Sequence, residues 1–125
     1  MRKCEIDMLR AVVSGRNWKT RNTEVVHDYR GTRVYLHGTC VGEIRDGNLT
    51  VSNGGYRTTT TKSRINALLR LGWRQQPHYQ PYVYQSNWKW YFRQPDDRFV
   101  DWTGQHTVPM QDIKGWWFSD AISRH

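Results

Sequence analysis

The sequence has few of the residues that mark secreted, metal-binding or membrane proteins. Its 125 residues include two cysteines, Cys4 and Cys40, with no CxxC spacing, and five scattered histidines. This argues against a disulfide framework and a metal site. No apolar run is long enough for a signal peptide or a membrane span. We therefore expect two reduced thiols, no metal, no cofactor, no membrane partner and a location in the cytoplasm of the cell that makes the protein.

Acidic residues are absent from a long central stretch of the chain. The 49 residues between Asp46 and Asp96 contain no Asp or Glu and carry +7 of the formal net charge of +8. A segment of one sign gives a folded surface of one sign, which attracts polyanions or an acidic protein face. The basic residues of this stretch are Arg57, Lys62, Arg64, Arg70, Arg74, Lys89 and Arg93.

The same stretch is rich in aromatic residues. Positive charge interleaved with flat rings is typical of a nucleic-acid-binding surface. The alternative is that the cations only keep the protein soluble and the rings fill its core. The aromatic residues are Tyr56, Trp73, Tyr79, Tyr82, Tyr84, Trp88, Trp90, Tyr91 and Phe92.

Length and composition predict one folded domain over residues 1–125. Only 37% of the residues are hydrophobic, but the chain has seven Trp, seven Tyr and three Phe. Each of these side chains buries a large area, and disordered chains are poor in them. The composition therefore favours a packed domain over a disordered one.

The first half of the chain predicts a helix followed by short strands. Apolar residues at helical spacing indicate a helix over residues 4–16, with Gly15 as its end signal. Residues 23–29 and 33–44 are typical of strands, joined by a turn at 30–32. Gly38 marks either a bulge or a second turn within the second of these strands. A turn at 46–48 leads to a strand over 49–52.

The second half predicts one more helix and a hairpin. Residues 62–72 form the helix, with a threonine before it as the N-cap. Residues 82–85 and 88–93 form strands joined at Ser86-Asn87, and 98–102 adds an edge strand. Trp116, Trp117 and Phe118 are expected to anchor the tail. The predicted fold is α+β, with an antiparallel sheet of five or six strands and two helices.

The first candidate site is a loop rich in glycine and hydroxyl groups ahead of the second helix. Helix N-termini bind anions through free N–H groups and the helix dipole. The loop lacks the GxxxxGK[ST] spacing of a P-loop, and its alternative role is an ordinary turn and threonine N-cap. The candidate phosphate-binding residues are Asn53, Gly54, Gly55, Thr58, Thr59, Thr60 and Thr61.

The second candidate is a basic face of that helix. Arg70 and Arg74 are four residues apart and share a face, with Lys62, Arg64 and Asn66 near them. If the leucines and Ile65 point to the core, these cations lie on the solvent side and can follow phosphates. The alternative is a solvated helix face, but surface helices generally mix charges of both signs.

The third candidate is the strand over residues 88–93. Alternation places Trp88, Trp90 and Phe92 on one face, which we predict to be core, with Trp90 buried. Lys89, Tyr91 and Arg93 occupy the other face, which we predict to be partly exposed, so that bases stack on the tyrosine and phosphates pair with the cations. Tyr82 and Tyr84 also share a face, whose side depends on a register that the sequence leaves open.

The sequence offers no recognisable catalytic residues, and an enzyme is the less favoured class. His37, His78 and His106 are possible acids or bases, but none has a nucleophile or carboxylate at a known spacing. Asp96 and Asp97 lie in a turn that contains proline and do not indicate a metal site. A catalytic site assembled from distant histidines and arginines remains open.

Several short motifs resemble small, functionally uncharacterised proteins of bacteriophages and prophages. The resemblance implies a phage origin and a place in the host cytoplasm, and it implies no mechanism. The motifs are Asn22-Thr23-x-Val25, Val34-Tyr35-Leu36-His37-Gly38, Val51-Ser52-Asn53-Gly54-Gly55, Thr58 to Leu69 and Trp88-Lys89-Trp90-Tyr91.

The preferred interpretation is a small phage protein that binds nucleic acid, single-stranded in preference, through a basic and aromatic surface made by residues 53–93. The alternative is an anti-defence or host-takeover inhibitor that uses this surface to bind an acidic host protein. Exposed stacking rings would favour nucleic acid, whereas an apolar patch rimmed by charge would favour a protein partner. The sequence leaves the choice of DNA or RNA, base specificity and oligomeric state open.

Overall fold

The computed structural model of the chain describes residues 2–55, 58–72, 81–94, 97–100 and 105–109. All strand pairs in these residues are antiparallel. The α+β fold class predicted from the sequence is confirmed. In chain order the elements are α1 (Lys3–Ser14), β1 (Trp18–Lys19), β2 (Thr23–Asp28), β3 (Gly31–Leu36), β4 (Thr39–Arg45), β5 (Asn48–Ser52), α2 (Thr59–Gly72), β6 (Tyr82–Ser86), β7 (Lys89–Gln94), β8 (Asp97–Val100) and β9 (Gln105–Pro109).

The strands form two sheets rather than the single sheet expected from the sequence. The larger has six strands in the order β1-β2-β3-β4-β5-β9, and the smaller has the order β6-β7-β8. Consecutive hairpins build the first five strands of the large sheet. The last strand, β9, pairs with β5 although the two strands are far apart in the sequence. Neither β1 nor β9 was predicted.

The predicted strand over 33–44 is divided into β3 and β4. A turn at His37 and Gly38 separates them, with φ angles of 50° and 79°. Of the two roles considered for Gly38, the second turn is therefore the observed one. The predicted edge strand over 98–102 is observed as β8, which pairs with β7.

Helix α1 buries one side against the sheet. Met8, Leu9 and Val12 are buried, as the helical spacing of apolar residues predicts. The helix ends at Gly15, which has a φ of 71°. This left-handed conformation is the usual C-terminal stop of a helix and requires little strain in glycine.

Helix α2 lies directly on β4. A β-carbon added to Gly42 of β4 would come within 2.5 Å of Leu68 Cδ1, so any larger residue there would require the Leu68 side chain to move. Ile65, Leu68 and Leu69 are buried as predicted. The helix also contacts β6 and therefore lies between the two sheets.

The core is continuous across both sheets. Val83, Trp90 and Phe92 of the small sheet belong to the same buried cluster as the helices and the large sheet. The Phe92 ring also stacks on His106 of β9, with ring centres 4.1 Å apart. No helix in the described part of the chain is long and apolar enough to cross a membrane. Trp116, Trp117 and Phe118 lie outside the described residues.

Candidate nucleic-acid interface

The hairpin of β6 and β7 has one buried face and one open face. Because cross-strand partners share a face, the register sorts the side chains into two sets. We call the outer set the tyrosine face, and its three cross-strand pairs are Tyr82 with Arg93, Tyr84 with Tyr91, and Ser86 with Lys89.

The rings of the tyrosine face form a contiguous group. The Tyr84 and Tyr91 rings stack with centres 5.0 Å apart and planes 8° apart. The Tyr82 ring follows at 5.5 Å from Tyr84, tilted by 38°. Tyr82 is exposed, and the other two rings are partly exposed. The predicted partial exposure of Tyr91 is confirmed, and both strands contribute to the aromatic surface.

Two cations border these rings. Lys89 and Arg93 are exposed, and the Nη1 group of Arg93 donates a hydrogen bond of 3.3 Å to the Tyr82 hydroxyl. That bond holds the guanidinium beside the ring group. Neither cation forms an ion pair with a carboxylate of the described residues.

Several cations elsewhere in the described chain have acidic partners. Arg33 of β3 donates to Asp28 and to the Tyr35 hydroxyl. The hydrogen bond from Arg33 holds the pKa of Asp28 below its usual range. Lys3 Nζ forms an ion pair with the Asp7 carboxylate, at 3.1 Å. These two pairs lie outside the acid-free stretch, whereas Arg64 within that stretch pairs with Glu5 of α1.

The opposite face of the hairpin is core, with one exception to the prediction. Trp90 and Phe92 are fully buried, as predicted. Trp88 was predicted to share this face, and that prediction is wrong because the residue is 89% exposed. It lies in the turn with Asn87, and β7 begins only at Lys89.

One side chain fixes the hairpin to α2. Asn66 Nδ2 donates to the carbonyl of Val83 at 2.9 Å, and its Oδ1 accepts from the Val83 N–H at 2.7 Å. The amide thus satisfies both backbone groups of a residue on the edge strand β6. Asn66 was considered as part of a basic binding face, and it instead positions the hairpin.

Arg64 does not belong to a binding surface, which corrects the sequence-based assignment. Its side chain is 4% exposed and pairs with Glu5 of α1 at 2.9 Å. It also donates to Thr23 Oγ1 at 3.2 Å and to Cys4 Sγ at 3.4 Å. The guanidinium joins α1, α2 and β2 inside the protein and cannot reach a phosphate.

Of the other cations predicted on the basic face of α2, Lys62 and Arg70 are partly exposed. Arg74 and Arg57 lie outside the described residues. Of the cations proposed from the sequence, the described structure brings together Lys89 and Arg93.

The predicted loop of glycine and hydroxyl groups borders a cleft of about 310 Å³. Asn53 and three threonines of the loop line it on one side, and His37 and Thr39 line it on the other. Gly54, Gly55, Thr58 and Thr59 are exposed, Thr60 is partly exposed, and Asn53 and Thr61 are buried.

Polar groups of this loop bond within the loop. The Thr58 hydroxyl accepts from the Thr61 N–H at 3.1 Å, which is the N-cap expected from the sequence. Asn53 Oδ1 accepts from the Gly55 N–H at 2.8 Å. Anion binding at this loop stays a prediction.

His37 and His106, two of the histidines considered for catalysis, lie outside the tyrosine face. His37 occupies the turn between β3 and β4, and the partly exposed His106 stacks on Phe92. His78 and Asp96 lie outside the described residues, and for Asp97 only the backbone is described. Among the residues with described side chains, no group of three or more His, Cys, Asp or Glu is placed to hold a metal ion.

Two contributors to the site were not assigned from the sequence. Tyr82 and Tyr84 join the face because β6 pairs with β7 in a register that sets Tyr84 opposite Tyr91. This register could have been predicted from the alternation of side chains in the two strands together with a two-residue turn. The turn was placed at Ser86-Asn87 instead of Asn87-Trp88, and that displacement changes the register.

Comparison with known protein families identifies the family of this chain. The family described as Kyanoviridae Gp96 protein matches residues 1–111. This range includes every element of the described structure. No curated protein and no solved structure gives a significant match.

Proposed function

We propose that this chain, which belongs to the Kyanoviridae Gp96 protein family of phage proteins, binds single-stranded nucleic acid through the tyrosine face. The family agrees with the phage origin expected from the sequence. The observation that carries the proposal is the parallel stack of Tyr84 and Tyr91 on an open sheet face between two cations. The protein would act in the host cytoplasm, where such ligands are present.

The rings supply a surface on which bases can stack. Every base has a π-face, so stacking on aromatic side chains tolerates any sequence. The planes of Tyr84 and Tyr91 differ by only 8°, and a further flat ring can extend this arrangement. In a duplex the faces of the bases are covered by their neighbours, so the surface favours unpaired bases.

The cations supply the electrostatic contribution. Lys89 and Arg93 lie four residues apart on β7, which places their α-carbons about 13 Å apart at about 3.3 Å per residue. Tyr91 lies between them on β7, with Tyr84 opposite it on β6. Phosphates on either side of a stacked base can therefore meet a positive charge, and each contact releases counterions from the strand.

The alternative function, inhibition of a host protein with an acidic surface, uses the same cations. An apolar patch rimmed by charge would have favoured it. The described face instead carries three hydroxyl-bearing rings, one of which bonds to Arg93. This arrangement favours the nucleic-acid proposal.

The test is a titration of fluorescently labelled single-stranded DNA and RNA, followed by anisotropy at several salt concentrations. Tyr91→Ala should weaken binding by about 1–3 kcal/mol, the usual effect of losing one stacking ring. Lys89→Ala with Arg93→Ala should reduce the slope of log K against log salt by about 1.4, because two phosphate contacts of a single strand are lost.

A matched control separates this site from the overall charge. Lys3→Ala with Arg45→Ala removes two cations that are exposed and lie outside the hairpin. This double variant should retain the salt slope. Equal losses in both double variants would show that binding depends on net charge alone, and absence of binding at about 50 mM salt would refute the proposal outright.

A further inference from the structure

The turn at the tip of the β6–β7 hairpin has a tryptophan, Trp88, at a position with positive φ. Ser86 pairs with Lys89, so Asn87 and Trp88 form a two-residue turn. Their φ angles are 51° and 68°. Positive φ at both central residues is the type I′ pattern, in which asparagine suits the first position and glycine the second.

The chain itself shows what this turn normally requires. The β3–β4 hairpin turns at His37-Gly38 and the β4–β5 hairpin at Asp46-Gly47, both with positive φ at the two residues. In both turns glycine occupies the second position. The tip of the β6–β7 hairpin has Trp88 there instead, so a large side chain stands where the other two turns have none.

Packing does not explain the tryptophan. A bulky residue at positive φ is strained because its β-carbon approaches the backbone. Such strain is usually offset by burial, but Trp88 is 89% exposed. Strain retained at an exposed position points to a role in binding rather than in folding.

We propose that Trp88 stacks on an unpaired base at one end of the strand bound to the tyrosine face, an inference that rests on the proposed function. The tip directly follows the Ser86–Lys89 pair, the last row of that face. Lys89 provides a cation next to the indole. Indole has the largest aromatic surface of the side chains and needs an uncovered base face, so Trp88 selects single strands and frayed ends over intact duplex.

Another exposed ring supplies a matched control. Tyr29, at the end of the β2–β3 hairpin, is 92% exposed. The guanidinium of its neighbour Arg30 lies over the ring, 5.5 Å from its centre. Tyr29→Ala therefore removes an equally exposed aromatic residue next to a cation, outside the β6–β7 hairpin.

The experiment compares Trp88→Gly, Trp88→Phe and Tyr29→Ala with the unaltered chain, using a labelled single strand of about 12 nucleotides and a hairpin duplex. Trp88→Gly should raise the Tm, because glycine relieves the strained φ. It should lower single-strand affinity by roughly 5- to 150-fold and leave duplex affinity unchanged. Trp88→Phe should retain most of the affinity, and Tyr29→Ala all of it.

The outcomes distinguish this inference from the proposed function. If Trp88→Gly binds single strands as well as the unaltered chain while Tyr91→Ala binds weakly, the role of Trp88 is wrong and the tyrosine face stands. A lower Tm for Trp88→Gly also overturns the inference, because the ring would then stabilise the fold. If the unaltered chain binds no nucleic acid, both proposals are wrong.

Discussion

The buried ion pair between Glu5 and Arg64 allows the sharpest test of how the fold is held together. Both side chains are 4% exposed, and the pair connects α1 with α2. Glu5 also accepts hydrogen bonds from the Ser63 hydroxyl and from the Arg2 N–H. The perturbation is a double-mutant cycle of Glu5→Leu and Arg64→Met, which replaces charged groups with apolar ones of similar length.

The expected loss in the free energy of unfolding depends on which buried charge each substitution leaves without its partner. Arg64→Met leaves the Glu5 carboxylate buried with two neutral donors, and Glu5→Leu leaves a buried guanidinium without its counter-ion. Each single change should cost about 3–5 kcal/mol, a large part of the about 5–15 kcal/mol that stabilises a domain. The double variant should cost less than the sum of the two single changes, since apolar replacement of a buried pair is often neutral. It still loses the hydrogen bonds that Glu5 accepts from Ser63 and from the Arg2 N–H. Thr23 keeps a partner throughout, because its hydroxyl also donates to Asn22 at 2.9 Å.

The measurement is urea denaturation followed by tryptophan fluorescence and far-UV circular dichroism. If Arg64→Met does not fold, Arg64→Lys keeps a positive charge for Glu5 and tests separately the contact of the guanidinium with Thr23. The surface pair of Lys3 and Asp7 is the control, and Asp7→Asn should cost less than about 1 kcal/mol. A double variant that costs the sum of both single changes would refute the coupling.

Two further changes test the hairpin and its anchor by the same denaturation assay. Asn66→Asp should destabilise the protein by about 1–3 kcal/mol, because a carboxylate oxygen would face the Val83 carbonyl that now accepts from the Asn66 amide. Asn48→Asp, at an exposed position, should have little effect, and equal stability of both variants would contradict the role of Asn66. Trp90→Ala should cost about 3–5 kcal/mol, whereas Trp90→Phe should cost much less, since the buried indole N–H has no hydrogen-bond partner among the described residues. A phenylalanine variant as unstable as the alanine variant would show that the indole is paired in the folded protein.

Local signals in the sequence predict much of the fold. The apolar spacing identifies both helices, and glycine at the second turn position marks two of the hairpins. Strand β9 was missed because its five residues give little periodicity, and its pairing with β5 depends on contacts 57 residues away, such as the bond between Thr50 and Thr107. The two residues of β1 are too few for any pattern.

The burial of Arg64 could be predicted from its position in α2. The identity of its ion-pair partner could not. Arg64 lies four residues before Leu68 and therefore on the apolar side of α2. Its counter-ion is 59 residues away on another helix. A charged residue is normally expected at the surface. Arg64 is buried because α1 packs on α2 and supplies the counter-ion.

Predicting the tyrosine face from the sequence required the correct position of the turn between β6 and β7. Placing the turn one residue too early put Trp88 in the strand and left the partners of Tyr82 and Tyr84 open. Asparagine followed by tryptophan gives no turn signal comparable to asparagine followed by glycine. Trp88, which takes the place of the glycine that would have indicated the turn, is the residue for which we propose a role in binding.

The topology of the large sheet has a consequence for how this protein can change over time. Ser52 and Gln105 are paired on adjacent strands, so the segment between them starts and ends at neighbouring positions of the large sheet. Most of the acid-free stretch thus lies in an insertion into a meander. The inner part of the insertion, α2, covers the sheet and must keep its shape, whereas the open face of the hairpin contributes little to the core. A phage lineage can therefore vary these outward-facing positions while the same scaffold continues to fold.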